Sequence, residues 1–205
     1  MKKLLYIDCC IRGEQSRTKK VAEAFVNVFR KDGNFSVETL ELDKLPLFPL
    51  GRYEYQRREA LLANGRTDDS VFDLAKQLAA ADLIVVAAPF WDMGIPAKLK
   101  IYFENVSVCG FTFGFDGEHF SGLCNASRMV YITTRGMDIA DGSVMEQASP
   151  YLYALTKFFD IDGFDTVSAY GLDVSPSDAE RLVASAVSQA TALANTIVCG
   201  ADVPI

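Results

Sequence analysis

One histidine, His119, is all the imidazole in these 205 residues. A zinc centre built on several histidines is excluded, and no Cys-x-x-Cys pair stands in for one. No Gly-x-Ser-x-Gly elbow accompanies His119, so a serine-hydrolase triad has no support. Neither Gly-x-Gly-x-x-Gly nor Gly-Lys-Ser/Thr occurs, which argues against a dinucleotide-pyrophosphate fingerprint and a triphosphate loop. Five cysteines (Cys9, Cys10, Cys109, Cys124, Cys199) are an odd number without framework spacing and read as reduced thiols. Basic charge is also in short supply: 20 Lys and Arg face 27 Asp and Glu, for a net charge of −7. Nucleic acid and anionic membranes are therefore not expected partners, and any bound phosphate needs local donors. The apolar run from Leu4 stops at Asp8, too short for a signal-peptide core, and no run is long enough to span a bilayer. A cytoplasmic location is expected. With side-chain catalysts this scarce, no catalytic side chain and no metal ligand is singled out; a borrowed cofactor is expected to carry any chemistry.

What is present is a globular composition, half hydrophobic and 23% charged, of a length suited to one domain over residues 1–205. The pattern alternates strand and helix. Lys3–Ile7, Phe35–Leu42, Leu83–Ala88, Met129–Thr133 and Phe164–Tyr170 read as strands. Leu83–Ala88 is continuously apolar, as a central parallel strand covered on both faces should be. Helices are expected over Arg17–Arg30, Tyr53–Ala63, Ser70–Ala80 and Pro96–Val106, the last with Pro96 in its first turn. Another is expected over Ser143–Phe159, kinked or broken at Pro150. A final helix should open at Ser175–Pro176. Such alternation implies an α/β protein with five parallel strands and helices on both faces. Ligands of such sheets bind beyond the carboxyl ends of the strands, where the winding direction switches.

Three loops there stand out. The first, Cys9–Thr18, brings Ser16 and Thr18 to the start of a helix, where free N–H groups and the positive dipole end favour a monophosphate. A plain N-cap would look the same. The second, Pro89–Pro96, holds Phe90 and Trp91, which suit a flat aromatic ligand or a hydrophobic plug under the next helix. The third, Thr133–Met137, contains Gly136, which permits close backbone approach or merely makes a loop. Between the second and third, Phe111–Phe120 alternates aromatics around Asp116–Gly117, a hairpin signal.

These residues resemble the FMN-dependent NADH:quinone oxidoreductases, also called azoreductases. The likeness rests on Ser16-x-Thr18, on Pro89–Phe90–Trp91–Asp92–Met93–Gly94–Ile95–Pro96–Ala97–Lys98–Leu99–Lys100 with Tyr102–Phe103, and on Thr134–Arg135–Gly136. It implies a flavodoxin-like three-layer sandwich with strand order 2-1-3-4-5, and a homodimer with FMN at the subunit interface. It places the flavin phosphate on Cys10 and on Ser16, Arg17 and Thr18. It rests the ring system on Phe90, Trp91, Asp92 and Met93, closed off by Thr134, Arg135, Gly136 and Met137. It makes Phe113, Phe115 and Phe120 part of a substrate pocket, or leaves their hairpin packed on its own domain. The implied reaction is ping-pong, two-electron reduction of quinones or azo compounds by NADH or NADPH. The family usually has serine at Cys10 and asparagine at Asp92. A thiol is a weaker phosphate donor than a hydroxyl, and a carboxylate at position 92 disfavours an anionic reduced flavin. Rival readings are a flavodoxin-type single-electron carrier, an FMN-free relative, and a thiol sensor at Cys9–Cys10.

Overall fold

A computed structural model describes residues 1–200. Five strands, β1 (Lys2–Asp8), β2 (Phe35–Glu41), β3 (Leu83–Ala87), β6 (Arg128–Thr134) and β7 (Gly163–Ala169), form one sheet. All its pairings are parallel, in the order β2-β1-β3-β6-β7. Two short antiparallel strands, β4 (Phe113–Phe115) and β5 (Phe120–Gly122), intervene between β3 and β6. They correct the expected numbering: the fourth and fifth strands of the sheet are the sixth and seventh of the chain. The fold is flavodoxin-like α/β.

Period-two alternation decides which side chain faces which layer. On one face Leu5, Ile7, Ile84, Val86, Met129 and Tyr131 pack under α3 (Asp73–Ala79), α4 (Ala97–Val106) and α5 (Ala148–Phe159). On the other, Leu4, Tyr6, Leu83, Val85, Val130 and Ile132 pack under α1 (Arg17–Asp32) and α6 (Ala179–Val198). There α6 offers Ala186, Ala190 and Ala194, and small residues leave room for Phe25 and Phe29 of α1. A further helix, α2 (Arg52–Ala63), buries no residue fully.

Local chemistry sets the helix ends. Ser16 caps α1, accepting the Lys19 N–H on Oγ, and Gly33 ends it in the left-handed region at φ 76°. Three expected boundaries move. Ser175 and Pro176 form a turn, with Ser175 Oγ bonded to Asp178, and α6 begins only at Ala179. Residues 143–147 are not helical, so Pro150 falls in the first turn of α5, where its missing N–H costs nothing and no kink results. Pro96 caps α4 from outside. Among the described residues, no helix is long and apolar enough to cross a membrane.

Candidate functional site

β1, β3 and β6 lie side by side and parallel, so their carboxyl ends deliver the loops that follow to one rim. A cleft of about 250 Å³ opens there. Cys10, Ser16, Arg17 and Thr18 line it from the first loop, Phe90 and Trp91 from the second, and Thr134, Arg135 and Gly136 from the third. Ile11, Arg12 and Pro89, from the same first and second loops, and Leu172 and Asp173, from a turn the sequence did not point to, complete the lining.

The first loop is held from below. Asp8, 5% exposed at the end of β1, accepts the Cys10 N–H at 2.8 Å and stands 3.6 Å from Lys19 Nζ. The Glu14 carboxylate, 3.2 Å from the same ammonium, raises the Lys19 pKa. Ser16 uses its Oγ on the Lys19 N–H and its carbonyl on Lys20. The N–H groups of Arg17 and Thr18 therefore remain as first-turn donors without an intrahelical acceptor. Cys10 turns its thiol to the Ala87 carbonyl at 3.7 Å. Burial first, then the Asp8 carboxylate, pushes that thiol well above the usual range, so it stays protonated.

The second loop is a tight turn. Trp91 and Gly94 exchange N–H···O bonds of 3.0 and 2.8 Å, and the central pair Asp92–Met93 takes φ 47° and 63°. Two consecutive left-handed residues make the turn of a two-residue hairpin. Asp is tolerated there; Met is an unusual occupant and carries backbone strain. The Met93 carbonyl accepts the Gln147 N–H at 3.0 Å, pinning the turn to the start of α5. Trp91 thus stays half-exposed at the cleft, while Asp92 and Met93 do not line it.

The third loop is tied to both others. Thr134 and Thr18 share a hydroxyl hydrogen bond of 2.7 Å, and the Thr134 carbonyl accepts the Phe90 N–H at 3.3 Å. Arg135 forms part of the floor, its side chain wholly buried. It donates to the Ile139 carbonyl at 2.8 Å and to Asp141 at 2.6 Å, and its guanidinium carbon lies 5.3 Å from the centre of the Phe90 ring. Phe90 is therefore a platform for Arg135 from below. Met137 is half-exposed and outside the lining; its carbonyl accepts the Gly171 N–H.

The unanticipated contribution comes from the turn after β7. Three backbone bonds lace Gly171, Leu172 and Asp173 onto Met137, Arg135 and Gly136. Asp173 then reaches Arg17 at 2.8 Å. The space over Gly136 is filled by this carboxylate: a Cβ there would lie 2.1 Å from Asp173 Oδ2. Phe113, Phe115 and Phe120 are not brought to this cleft. Phe113 and Phe120 stack at 5.0 Å and both lean on Phe158 of α5.

The profile of the flavodoxin-like fold matches residues 2–194. The FMN-dependent NADH:quinone oxidoreductase of Clostridium perfringens is 34% identical over 196 residues, spanning 95% of this chain and 98% of the relative. The chain belongs to the FMN-dependent NADH:quinone oxidoreductase family. A second relative of that name, from Clostridium acetobutylicum, is 33% identical over 194 residues, spanning 93% of this chain and 96% of its own. Solved structures share the fold. An azoreductase from Bacillus anthracis superposes with a TM-score of 0.83 at 24% identity, covering 96% of this chain and all of its own. An FMN-dependent NADH-azoreductase from the same species, solved in complex with FMN, gives 0.83 at 20% identity over the same shares.

Proposed function

We propose that this chain binds FMN in the cleft and uses it to reduce quinones, and azo compounds, by two electrons from NADH or NADPH. The observation that carries the reading is the convergence of three loops on one cleft, locked by the Thr18–Thr134 hydroxyl bond. The donor set fits a flavin monophosphate. The opening of α1 offers the N–H groups of Arg17 and Thr18 and the positive dipole end to a phosphate. Trp91 offers an exposed ring beside it, and Gly136 brings main chain to the same wall.

When bound, FMN supplies the hydride-accepting and two-electron-donating chemistry. The chain's own part is to bind and orient. Ser16 keeps the first turn of α1 open toward the phosphate, with Cys10 behind it. Phe90 and Trp91 form one side of the ring site, and Thr134, Arg135 and Gly136 the other. Asp92 and Met93 hold the turn that presents Trp91, and Met137 anchors the loop that carries Gly136. The N–H of Gly136 is the donor we assign to charge developing on the ring's pyrimidine edge. Reduced nicotinamide and acceptor would occupy the same cleft in turn, and solvent would supply the proton that accompanies the hydride, so no side chain need act as acid or base. Phe115 and Phe120 are 57% and 54% exposed, away from their own cleft. Large exposed rings suit an interface. In a homodimer the hairpin would roof the cleft of the other subunit and offer Phe113, Phe115 and Phe120 to a planar acceptor. All five cysteines are free, which favours the cytoplasm.

The test is steady-state oxidation of NADH by a benzoquinone, with the visible spectrum of the purified protein recorded first. Yellow protein and parallel double-reciprocal lines are expected. Colourless protein that takes up no added FMN would refute the cofactor. Yellow protein that does not consume NADH would leave a single-electron carrier.

A further inference from the structure

Arg12, Arg17 and Arg135 are the cations lining the cleft. Arg135 is committed in the floor to Asp141 and the Ile139 carbonyl. Arg17 stands at the first position of α1, beside the N–H groups that would receive a phosphate. Its guanidinium is already paired: Asp173 Oδ1 accepts from Nη1 at 2.8 Å. The other oxygen of that carboxylate covers Gly136 on the opposite wall. One carboxylate therefore spans the phosphate end and the ring end of the cleft.

Its position is built by backbone. The N–H of Gly171 bonds to Met137 O at 2.9 Å, that of Leu172 to Arg135 O at 3.2 Å and that of Asp173 to Gly136 O at 2.9 Å. Gly171 takes φ 73°, which lets the chain turn back onto the loop after β6. The Cα of Asp173 is thus fixed at the rim. Its side chain, 70% exposed, is free to change rotamer. A fixed base and a mobile, charged tip make a group that an incoming anion can displace.

We propose that Asp173 is the cleft's resident competing anion, and that it sets how strongly the site prefers a phosphorylated flavin over the same ring without phosphate. The inference rests on the FMN reading above. A phosphate at the opening of α1 shares Arg17 with Asp173: it gains Nη1 only by displacing that carboxylate, and it meets the carboxylate's repulsion even where it uses the remaining guanidinium donors. Riboflavin's ring must clear the same carboxylate from Gly136, as FMN's must, but it carries no phosphate charge and does not compete for Arg17. An exposed pair of this kind has a small interaction energy, so the effect is a tuning of affinity and not a switch.

Flavin-free protein of full length is titrated with FMN and with riboflavin, following quenching of flavin fluorescence, for the wild type, Asp173→Asn, Asp173→Ser and Arg17→Gln. Both substitutions at Asp173 should raise the ratio of FMN to riboflavin affinity about fivefold; with the same-shaped Asn, riboflavin affinity itself should move by less than about twofold, and with Ser any gain from clearing Gly136 should be shared by both ligands. Arg17→Gln should lower the ratio, and Asp173→Asn added to it should recover less than it gains in the wild type. Equal tightening of both ligands would overturn the proposal by making Asp173 a steric plug; an unchanged ratio would overturn it outright. Wild-type protein that takes up neither flavin removes the FMN reading and this inference with it. FMN uptake with an unmoved ratio removes this inference alone.

Discussion

The cleft and the β4–β5 hairpin both hold residues expected to meet the ligand, yet they are held in different ways. The cleft is made by the sheet. Its loops leave adjacent parallel strands and are cross-linked by main-chain and hydroxyl bonds, so Thr18 and Thr134 meet across 116 positions of sequence. The hairpin is an excursion. It rests on α5 through tilted ring contacts to Phe158 and through one glycine, and no strand of the main sheet orients it. Residues placed by the topology of a sheet can be read from strand order. Residues placed by side-chain packing on a local excursion cannot.

The largest expected effect separates the two regions. At Gly122 an added Cβ would lie 2.1 Å from the carbonyl carbon of Phe159 and 2.2 Å from the Asp160 nitrogen, both backbone atoms. Gly122→Ala should therefore destabilise the protein by about 3 kcal/mol in urea unfolding. The folded fraction should keep its flavin affinity; a loss of flavin without a loss of stability would tie the hairpin to the flavin site rather than to folding alone. Gly136→Val attacks the other region. The added branch meets a flexible carboxylate tip, so the fold should survive while flavin content falls at least about tenfold, worth about 1.4 kcal/mol. Normal yellow colour in that variant would remove Gly136 from the ring site.

Thr134→Val comes next. It leaves the buried Thr18 hydroxyl without its partner and should cost about 1 kcal/mol of stability. Flavin affinity should drop with it if the bond holds the two loops in register. Phe120→Ser removes one stacked ring from a half-exposed cluster and should cost about 0.5–1 kcal/mol. An accompanying rise in KM for a quinone, at unchanged flavin content, would tie the hairpin to the substrate across a dimer. Unchanged KM would leave it as packing alone.

The smallest effect is chemical. Burial, and then the Asp8 carboxylate, pushes the Cys9 thiol from 9.0 up to about 12, while burial does the same to Cys124 beside the hairpin. At pH 8 iodoacetamide should label the exposed Cys109 and Cys199 first and leave Cys9 and Cys10 intact, as read by mass spectrometry. The folded state holds these protons more tightly than the unfolded one. Their contribution to stability is complete below pH 9.0 and is lost as the pH rises toward about 12.

Much of this arrangement was legible in the residues. Leu83–Ala87 is continuously apolar because both faces of β3 are covered, and all five of its residues are buried. Ser16 and Gly33 mark the ends of α1 by local chemistry alone. What was hidden depends on distance. Asp173 reaches the cleft through backbone bonds between residues 171–173 and 135–137, and no short pattern encodes them. Asp92 and Met93 take left-handed conformations without the glycine that usually announces them. Pro150 reads as a kink until the late start of α5 turns it into a first-turn residue. The hairpin was visible in its alternating rings; where it docks depends on Phe158, far along the chain.

The most direct measurement is a crystal structure of the full chain grown with FMN. We expect the phosphate at the opening of α1 against Ser16, Arg17 and Thr18, and the ring between Trp91 and Gly136, with the Asp173 carboxylate moved off Arg17. Ordered FMN on another face, or a rim still filled by its own side chains at saturating FMN, would contradict a flavin site at the convergence of the three loops.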